Sequence, residues 1–280
     1  MNIASWNIRG LNQSHKQDEV RRLISTSRLS LLGILETKVS YGRRLNLARE
    51  LMPDWEFLFN YSNNCNGRIW TAWDPSILSI HLLASSPQMM HLSVLIKESQ
   101  TQLLMTLIYA LNYANERVPL WEEINSIAPS AQQLPWIVLG DFNVVRHTSE
   151  KLGGDLSWTP DMDEFNCCCY TAELEDLQFR GNWFTWSNKC HSKPISRKLD
   201  RVLINHNWTT CFPNAEAEFI LPGVSDHSPA IVRLGMPLPR LRKPFKFLTS
   251  WPSTLISNQL LQMHGGLPLM ARRYIKFAVN

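Results

Sequence analysis

Apolar residues run in short stretches along residues 1 to 236, and these stretches predict many strands with a few helices between them. The opening NIASWNI alternates as a half-buried strand does, and LSLLGILE is an apolar run that ends at Glu36. Short polar connections between the next runs favour antiparallel hairpins, including a turn at Asn66 and Gly67. These runs are WEFLFNY, RIWTAW, ILSIHLL, MMHLSVLI and LLMTLIYAL, and later ones are PWIVLG, WFTWS, RVLI, EFIL and AIVRL.

Helical spacing and capping residues predict four helices between the strands. Ser14 and Gln17 have capping-box spacing, and a second helix is predicted from Arg43 to Met52. A third follows Asn115, and Thr159-Pro160 is typical of a helix start. The apolar positions expected on the buried faces are Val20, Leu23, Ile24, Val118, Trp121, Ile124 and Ile127. Strands and helices in this order predict an α/β (α+β) sandwich.

Charge divides the chain at about Pro237. Residues 1 to 236 carry 21 basic and 24 acidic residues, a net charge of −3, whereas residues 237 to 280 carry seven basic residues and no acidic one. With 44% hydrophobic residues, the first segment is large enough for one sizeable core. We therefore predict a domain over residues 1–236 and a basic C-terminal extension over 237–280.

The sequence shows no membrane or secretion signal, and its cysteines lack the spacing of a zinc site. The longest apolar runs fall well short of the roughly 20 residues that span a bilayer. MNIASWNIRG lacks the charged and apolar regions of a signal peptide, so we expect an intracellular protein with no membrane partner. None of the six cysteines forms a CxxC pair, which favours free thiols.

Acidic and amide side chains recur where apolar runs begin or end. In open α/β sheets the ends of strands converge at ligand sites, so such residues are candidates for one site. Each alone has a simpler explanation as a turn or surface residue. The set comprises Asn7, Glu36, Tyr109, Asn112, Asp141, Asn143, Asp200, Asp226 and His227.

The chemistry of this set points to hydrolysis of a phosphate ester. Glu36, Asn7 and an aspartate offer oxygen ligands that suit Mg²⁺ or Mn²⁺ better than zinc. A histidine oriented by a carboxylate acts as a general acid or base near neutral pH, and Asn and Tyr donate hydrogen bonds to phosphate oxygens. The sequence contains neither GxSxG nor GxxxxGK[ST], so a serine elbow and a P-loop are excluded.

Six motifs in order, WNIRG, LETK, IYALN, GDFN, RKLDRVL and SDHSPAIV, resemble the series that characterises the endonuclease/exonuclease/phosphatase superfamily. The resemblance spans about residues 2 to 234. GDFNVVRHTSEKLGG, DLQFRGNWFTWSN, RKLDRVLIN and RKPFKF are most similar to the endonuclease domain of plant LINE-type (non-LTR) retrotransposons. The resemblance implies a four-layer sandwich, in which two mixed β-sheets pack face to face with helices on the outside.

It also implies roles for individual residues. Glu36 and Asn7 would hold Mg²⁺ (or Mn²⁺), with Asp226 supporting the metal side. Asp200 would orient His227, which would align or deprotonate the attacking water or stabilise the charged phosphate. Asp141 would position the water or assist the leaving oxygen. The remaining members, Asn143, Tyr109 and more weakly Asn112, would contact the phosphate.

The implied activity is a metal-dependent DNA endonuclease that leaves a 3′-hydroxyl, as in the nicking of a retrotransposon target. The alternatives are an abasic-site endonuclease or another phosphoesterase of the same fold, and a decayed transposon fragment without catalysis. The expected partners are DNA and a covalently linked reverse transcriptase, toward which residues 237–280 would form a linker. We expect the protein in the nucleus.

Overall fold

The computed structural model describes residues 1–61 and 67–235, in which two large sheets and one small sheet form. The first large sheet has the order β11-β15-β16-β1-β2-β4-β3. Its strands are β1 Asn2–Asn7, β2 Leu29–Leu35, β3 Glu56–Phe59, β4 Ile69–Trp73, β11 Phe179–Gly181, β15 Glu216–Phe219 and β16 Ala230–Arg233. Parallel β1-β2 and β11-β15 pairs among antiparallel ones make this sheet mixed.

The second large sheet has the order β10-β14-β8-β7-β6-β5 and is also mixed, because β7 and β8 run parallel. Its strands are β5 Leu78–Ser85, β6 Met89–Ile96, β7 Thr101–Tyr109, β8 Trp136–Asp141, β10 Glu175–Asp176 and β14 Asp200–Ile204. A small antiparallel sheet contains β9 Lys151–Leu152, β12 Trp186–Ser187 and β13 Ser196–Arg197.

The helices of the described residues lie between these strands in the chain. They are α1 Ser14–Ser27, α2 Arg44–Leu51, α3 Ala114–Ala131, α4 Pro160–Thr171 and α5 His206–Cys211. Short 3-10 turns occur at Tyr41–Arg43 and Thr148–Glu150.

Three hydrophobic clusters define four layers. The central cluster joins the facing sides of the two large sheets, with Leu31 and Leu35 from one and Leu107 and Leu139 from the other. Here Gly33 lets the sheets approach, since a Cβ at this position would lie 2.5 Å from the Leu107 side chain. The outer clusters place α1 and α2 against the first sheet and α3 and α4 against the second. The four-layer sandwich is therefore confirmed.

Some local predictions were wrong. The N-cap of α1 is Gln13 and makes no side-chain capping bond, so Ser14 lies inside the helix. The predicted antiparallel hairpins are confirmed for β3-β4, β5-β6 and β6-β7, but the series is divided between two sheets, since β4 belongs to the first and β5 to the second. Only Trp186–Ser187 of WFTWS forms a strand.

The buried face of α3 also differs from the prediction. Val118 is 37% exposed, whereas Arg117 on the adjacent position is buried. The buried residues of this helix are Arg117, Leu120, Trp121, Ile124, Ala128 and Ala131. The predicted turn residue Asn66 and the basic extension 237–280 lie outside the described residues, so the domain boundary stays a prediction.

Candidate active site

Three strands of the second sheet bring polar side chains into one row. β7 runs parallel to β8 with Tyr109 beside Asp141, and β14 runs antiparallel to β8 with Asp200 beside Asp141. Residues paired in this way on neighbouring strands lie within about 5.5 Å of each other. The close approach of β8 to β7 requires Gly140, whose φ is 142° and whose Cβ would lie 2.0 Å from the Ile108 carbonyl oxygen.

The first sheet supplies His227 from the loop that leads into β16, and this side chain meets the row. Nδ1 of His227 lies 3.0 Å from Oδ2 of Asp200, and its Nε2 lies 3.8 Å from Oδ2 of Asp141. All three residues are buried. Burial alone would lower the pKa of His227, but the carboxylates of Asp200 and Asp141 raise it to about 9. The site therefore favours the charged imidazolium.

Asp141 is held from two sides. Its Oδ1 accepts a bond from the Asn143 backbone N–H (3.0 Å), and its Oδ2 accepts one from Nδ2 of Asn7 (2.9 Å). Burial raises the pKa of Asp141 while nearby His227 lowers it, and burial prevails. This carboxylate is therefore a better proton acceptor than an exposed aspartate.

Residues outside the predicted set fix these groups in place. The Ser225 hydroxyl donates to the Asn7 carbonyl (2.6 Å) and accepts from the His227 backbone N–H (3.2 Å). The backbone N–H of Asp200 donates to the Thr185 hydroxyl (2.8 Å). Each of these residues lies within or beside a motif quoted above, which was the only signal in the sequence that could have indicated them.

Glu36 lies directly after β2 with a φ of 52°. Its Oε1 forms an ion pair with Nζ of Lys38 (2.8 Å), and its side chain is hydrogen-bonded to Tyr109. Burial and the neighbouring carboxylates of Glu36 and Asp141 raise the pKa of Tyr109, so its hydroxyl remains protonated and able to donate.

Asp226 is half-buried beside His227. Its Oδ2 accepts a bond from Nε1 of Trp186 (2.9 Å) and forms an ion pair with Arg9. Burial raises the pKa of Asp226, but the charges of His227 and Arg9 outweigh it and the net direction is down. Within residues 1–61 and 67–235, its buried Oδ1 has no hydrogen-bond partner.

The two asparagines that the resemblance assigns to phosphate contact differ in their surroundings. Asn143 uses its side-chain Nδ2 to donate to the Ala110 carbonyl (2.6 Å), which leaves one amide proton and the carbonyl oxygen for other partners. Asn112 is exposed on the loop after β7, and its backbone carbonyl accepts from Arg117 (2.8 Å).

The donors around Glu36 and Asp226 fit a hard divalent cation. Both carboxylates are paired here with cationic side chains, Lys38 and Arg9, and the orphaned Oδ1 of Asp226 is a buried oxygen that a cation would satisfy. Asn7 adds an amide oxygen at the end of β1, which accepts a bond from the Arg9 backbone N–H (3.0 Å) and keeps a second lone pair.

A second group of possible ligands fits a metal less well. The ligand atoms of Asp141, Asp200 and His227 lie within 4.8 Å of one another. However, the hydrogen bond between Asp200 and His227 occupies Nδ1, and the charged imidazolium favoured here has no lone pair for a metal. These three residues therefore fit proton handling and charge stabilisation.

A model of the Endonuclease/Exonuclease/phosphatase family matches residues 4–227, which contain every residue of the predicted site. The chain belongs to this family. Members of the Endonuclease/Exonuclease/phosphatase family are hydrolases, mostly nucleases or phosphatases, and they typically depend on a divalent metal. No curated protein matches the chain in sequence.

Solved structures share the fold at low sequence identity. The endonuclease domain of TRAS1, a telomere-specific non-LTR retrotransposon, is 12% identical with a TM-score of 0.63, covering 86% of this chain and 99% of that one. The AP endonuclease LMAP from Leishmania major is 14% identical with a TM-score of 0.62, covering 84% of this chain and 88% of that one. D. rerio TDP2, solved with a single-stranded DNA product, is 14% identical with a TM-score of 0.59, covering 83% of this chain and 97% of that one. The retrotransposon resemblance is confirmed at the level of fold.

The described residues contain no helix that is both long and apolar enough to cross a membrane.

Proposed function

We propose that this protein is a divalent-metal-dependent DNA endonuclease that hydrolyses a phosphodiester and leaves a 3′-hydroxyl, as in the nicking of a retrotransposon target. The observation that carries the proposal is the buried contact of Asp141, Asp200 and His227 beside Asn7. Similarity to the TRAS1 endonuclease domain supports this choice within a family of nucleases and phosphatases.

In the proposed reaction, water attacks the phosphorus, the bond from phosphorus to the 3′-oxygen breaks, and the products are a 5′-phosphate and a 3′-hydroxyl. Asp141 positions the attacking water and accepts its proton, and that proton passes to the departing 3′-oxygen to give the 3′-hydroxyl. His227, held by Asp200, stabilises the negative charge that develops on the phosphate. The free amide proton of Asn143 donates to a phosphate oxygen, and the Tyr109 hydroxyl donates to another in exchange for its bond to Glu36.

Glu36, Asn7 and Asp226 would hold the metal, with Mg²⁺ or Mn²⁺ as the cations that suit oxygen donors. Such an ion, when bound, would act as a Lewis acid on the phosphoryl oxygens. Lys38 and Arg9 pair with two of these carboxylates and would exchange those partners for the phosphate backbone of DNA.

The test uses supercoiled plasmid incubated with purified protein in Mg²⁺, in Mn²⁺, in Zn²⁺ or in EDTA, with Asp141→Asn as the inactive control. We expect open-circular product only with Mg²⁺ or Mn²⁺, and a DNA polymerase should extend the nick because its end is a 3′-hydroxyl. Nicking that persists in EDTA would remove the metal assignment. Cleavage confined to an abasic-site duplex, or hydrolysis of small phosphomonoesters alone, would replace the proposed substrate with that of a different family member.

A further inference from the structure

An open cleft of about 530 Å³ lies beside the candidate active site. Glu36 and Tyr109 form the wall that it shares with the site, since Tyr109 is hydrogen-bonded to Glu36 and paired across the sheet with Asp141. Lys38, Arg68 and Tyr113 also line it. We call this region the Arg68–Tyr113 cleft. A substrate strand with its phosphate at Asp141 would continue into it.

Arg68 is a positive charge in this cleft with no anionic partner among the described residues. Two nearby cations are paired with carboxylates, since Lys38 pairs with Glu36 and Arg9 pairs with Asp226. The guanidinium carbon of Arg68 instead lies 5.7 Å from the centre of the Tyr109 ring. Its backbone N–H donates to Asn60 (2.8 Å), so the position of the residue is fixed. An unpaired arginine held beside a phosphodiesterase site suits a phosphate.

Tyr113 presents an aromatic ring from a braced loop at the same cleft. The residue is 72% exposed and makes no ring contact among the described residues. The preceding loop is held by the buried guanidinium of Arg117, which donates to the carbonyls of Leu111 (3.1 Å) and Asn112 (2.8 Å). Gln88 adds a bond to the Leu111 N–H (2.8 Å). The ring is thus displayed from a fixed backbone, as a stacking platform requires.

We propose that the Arg68–Tyr113 cleft binds the nucleotide next to the scissile phosphate, with Arg68 on a flanking phosphate and Tyr113 stacked on an exposed base. The inference rests on the proposed nuclease function and adds a substrate class to it. In a regular duplex both faces of a base are covered by its neighbours, so a stacking tyrosine selects a nucleotide that is unpaired or unstacked. The protein therefore prefers DNA that is locally unpaired beside the nick.

Binding measured without turnover tests the cleft directly. The full chain is titrated with fluorescent duplexes in Ca²⁺ or EDTA, one fully paired and one with a single unpaired nucleotide, and anisotropy gives Kd. Tyr113→Ala should weaken binding of the unpaired duplex by about 5- to 100-fold, the range for loss of one stacked base. Tyr113→Phe should bind like the wild type. Tyr170→Ala is the matched control, since Tyr170 is 87% exposed on α4.

Arg68 is tested by salt dependence. Arg68→Gln should reduce the slope of log Kd against log salt by about one phosphate contact, close to 0.7–0.9, and Tyr113→Ala should leave the slope unchanged. Arg49→Gln is the matched control, because Arg49 is exposed on α2 and makes no ion pair among the described residues. Thermal melting of each variant confirms that the fold is intact.

The outcomes separate the cleft from the activity. One outcome is that the wild type nicks plasmid while Tyr113→Ala and Arg68→Gln bind DNA as tightly as their controls and with the same slope of log Kd against log salt. In that case the cleft proposal is wrong and the proposed endonuclease activity is supported. Equal preference of the wild type for paired and unpaired duplexes would also overturn it. If both variants bind as predicted while the wild type fails to nick DNA with Mg²⁺, the cleft proposal is supported and the proposed endonuclease activity is wrong.

Discussion

Replacing Asp200 with asparagine isolates the contribution of one buried charge to catalysis. The change keeps the size of the side chain, and the backbone N–H of residue 200 keeps its bond to Thr185, so β14 should remain paired with β8. What is lost is the negative charge that lies 3.0 Å from Nδ1 of His227. Asp200→Asn should therefore act through the imidazole and leave the fold intact.

The magnitude follows from the pKa of His227. Its rise from 6.5 to about 9, against the opposing effect of burial, corresponds to about 3 kcal/mol in favour of the imidazolium. Asp200 is the largest favourable contribution, ahead of Asp141. If His227 stabilises charge on the phosphate, most of this energy is lost in the variant. We expect kcat to fall on the order of 100-fold, since each 1.36 kcal/mol is a factor of ten in rate.

The assay is single-turnover plasmid nicking in Mg²⁺ for the wild type, Asp200→Asn, His227→Ala and the double variant. In the His227→Ala background, Asp200→Asn should have little further effect on the rate, because Asp200 acts only through the imidazole that this background lacks. An NMR titration of the metal-free protein should show a lower pKa for His227 in Asp200→Asn. A variant that keeps more than about a third of the wild-type rate, or losses that multiply in the double variant, would refute the assigned role.

Three other perturbations follow from the same structure. Glu36→Gln should raise the Mg²⁺ concentration needed for half-maximal nicking, and calorimetric titration with Ca²⁺ should show weaker binding; an unchanged affinity would remove Glu36 from the metal site. Burial lowers the pKa of His91 to about 4 in the folded protein. As pH falls below 6.5, His91 therefore binds a proton in the unfolded chain before it does so in the folded one, and the free energy of unfolding decreases. Relative to His91→Gln, the wild type should lose about 2 kcal/mol in urea unfolding between pH 7 and pH 5, and equal losses would contradict this. If the basic extension 237–280 contacts phosphate, residues 1–236 alone should still nick DNA but bind it with a shallower salt slope; parallel slopes would leave the extension as a linker.

The sequence by itself determined most of the longer strands and the candidate residues of the site. Alternation and apolar runs depend on nearest-neighbour geometry, so β1, β2, β7 and β8 could be predicted from the local sequence. The polar residues at their ends were readable too, because six motifs kept their order along the chain. Family membership followed from those motifs and is confirmed by the match over residues 4–227.

Only the tertiary structure decided which of these residues touch and what they do to one another. The pair Arg9–Asp226 joins segments 217 residues apart in sequence, and no local period encodes such a contact. Arg117 is buried because the carbonyls of the Tyr113 loop need donors there. A charge has its pKa and its reactivity set by what surrounds it in space. Most strands could therefore be predicted from the sequence, while the chemistry of the site depended on how those strands pack.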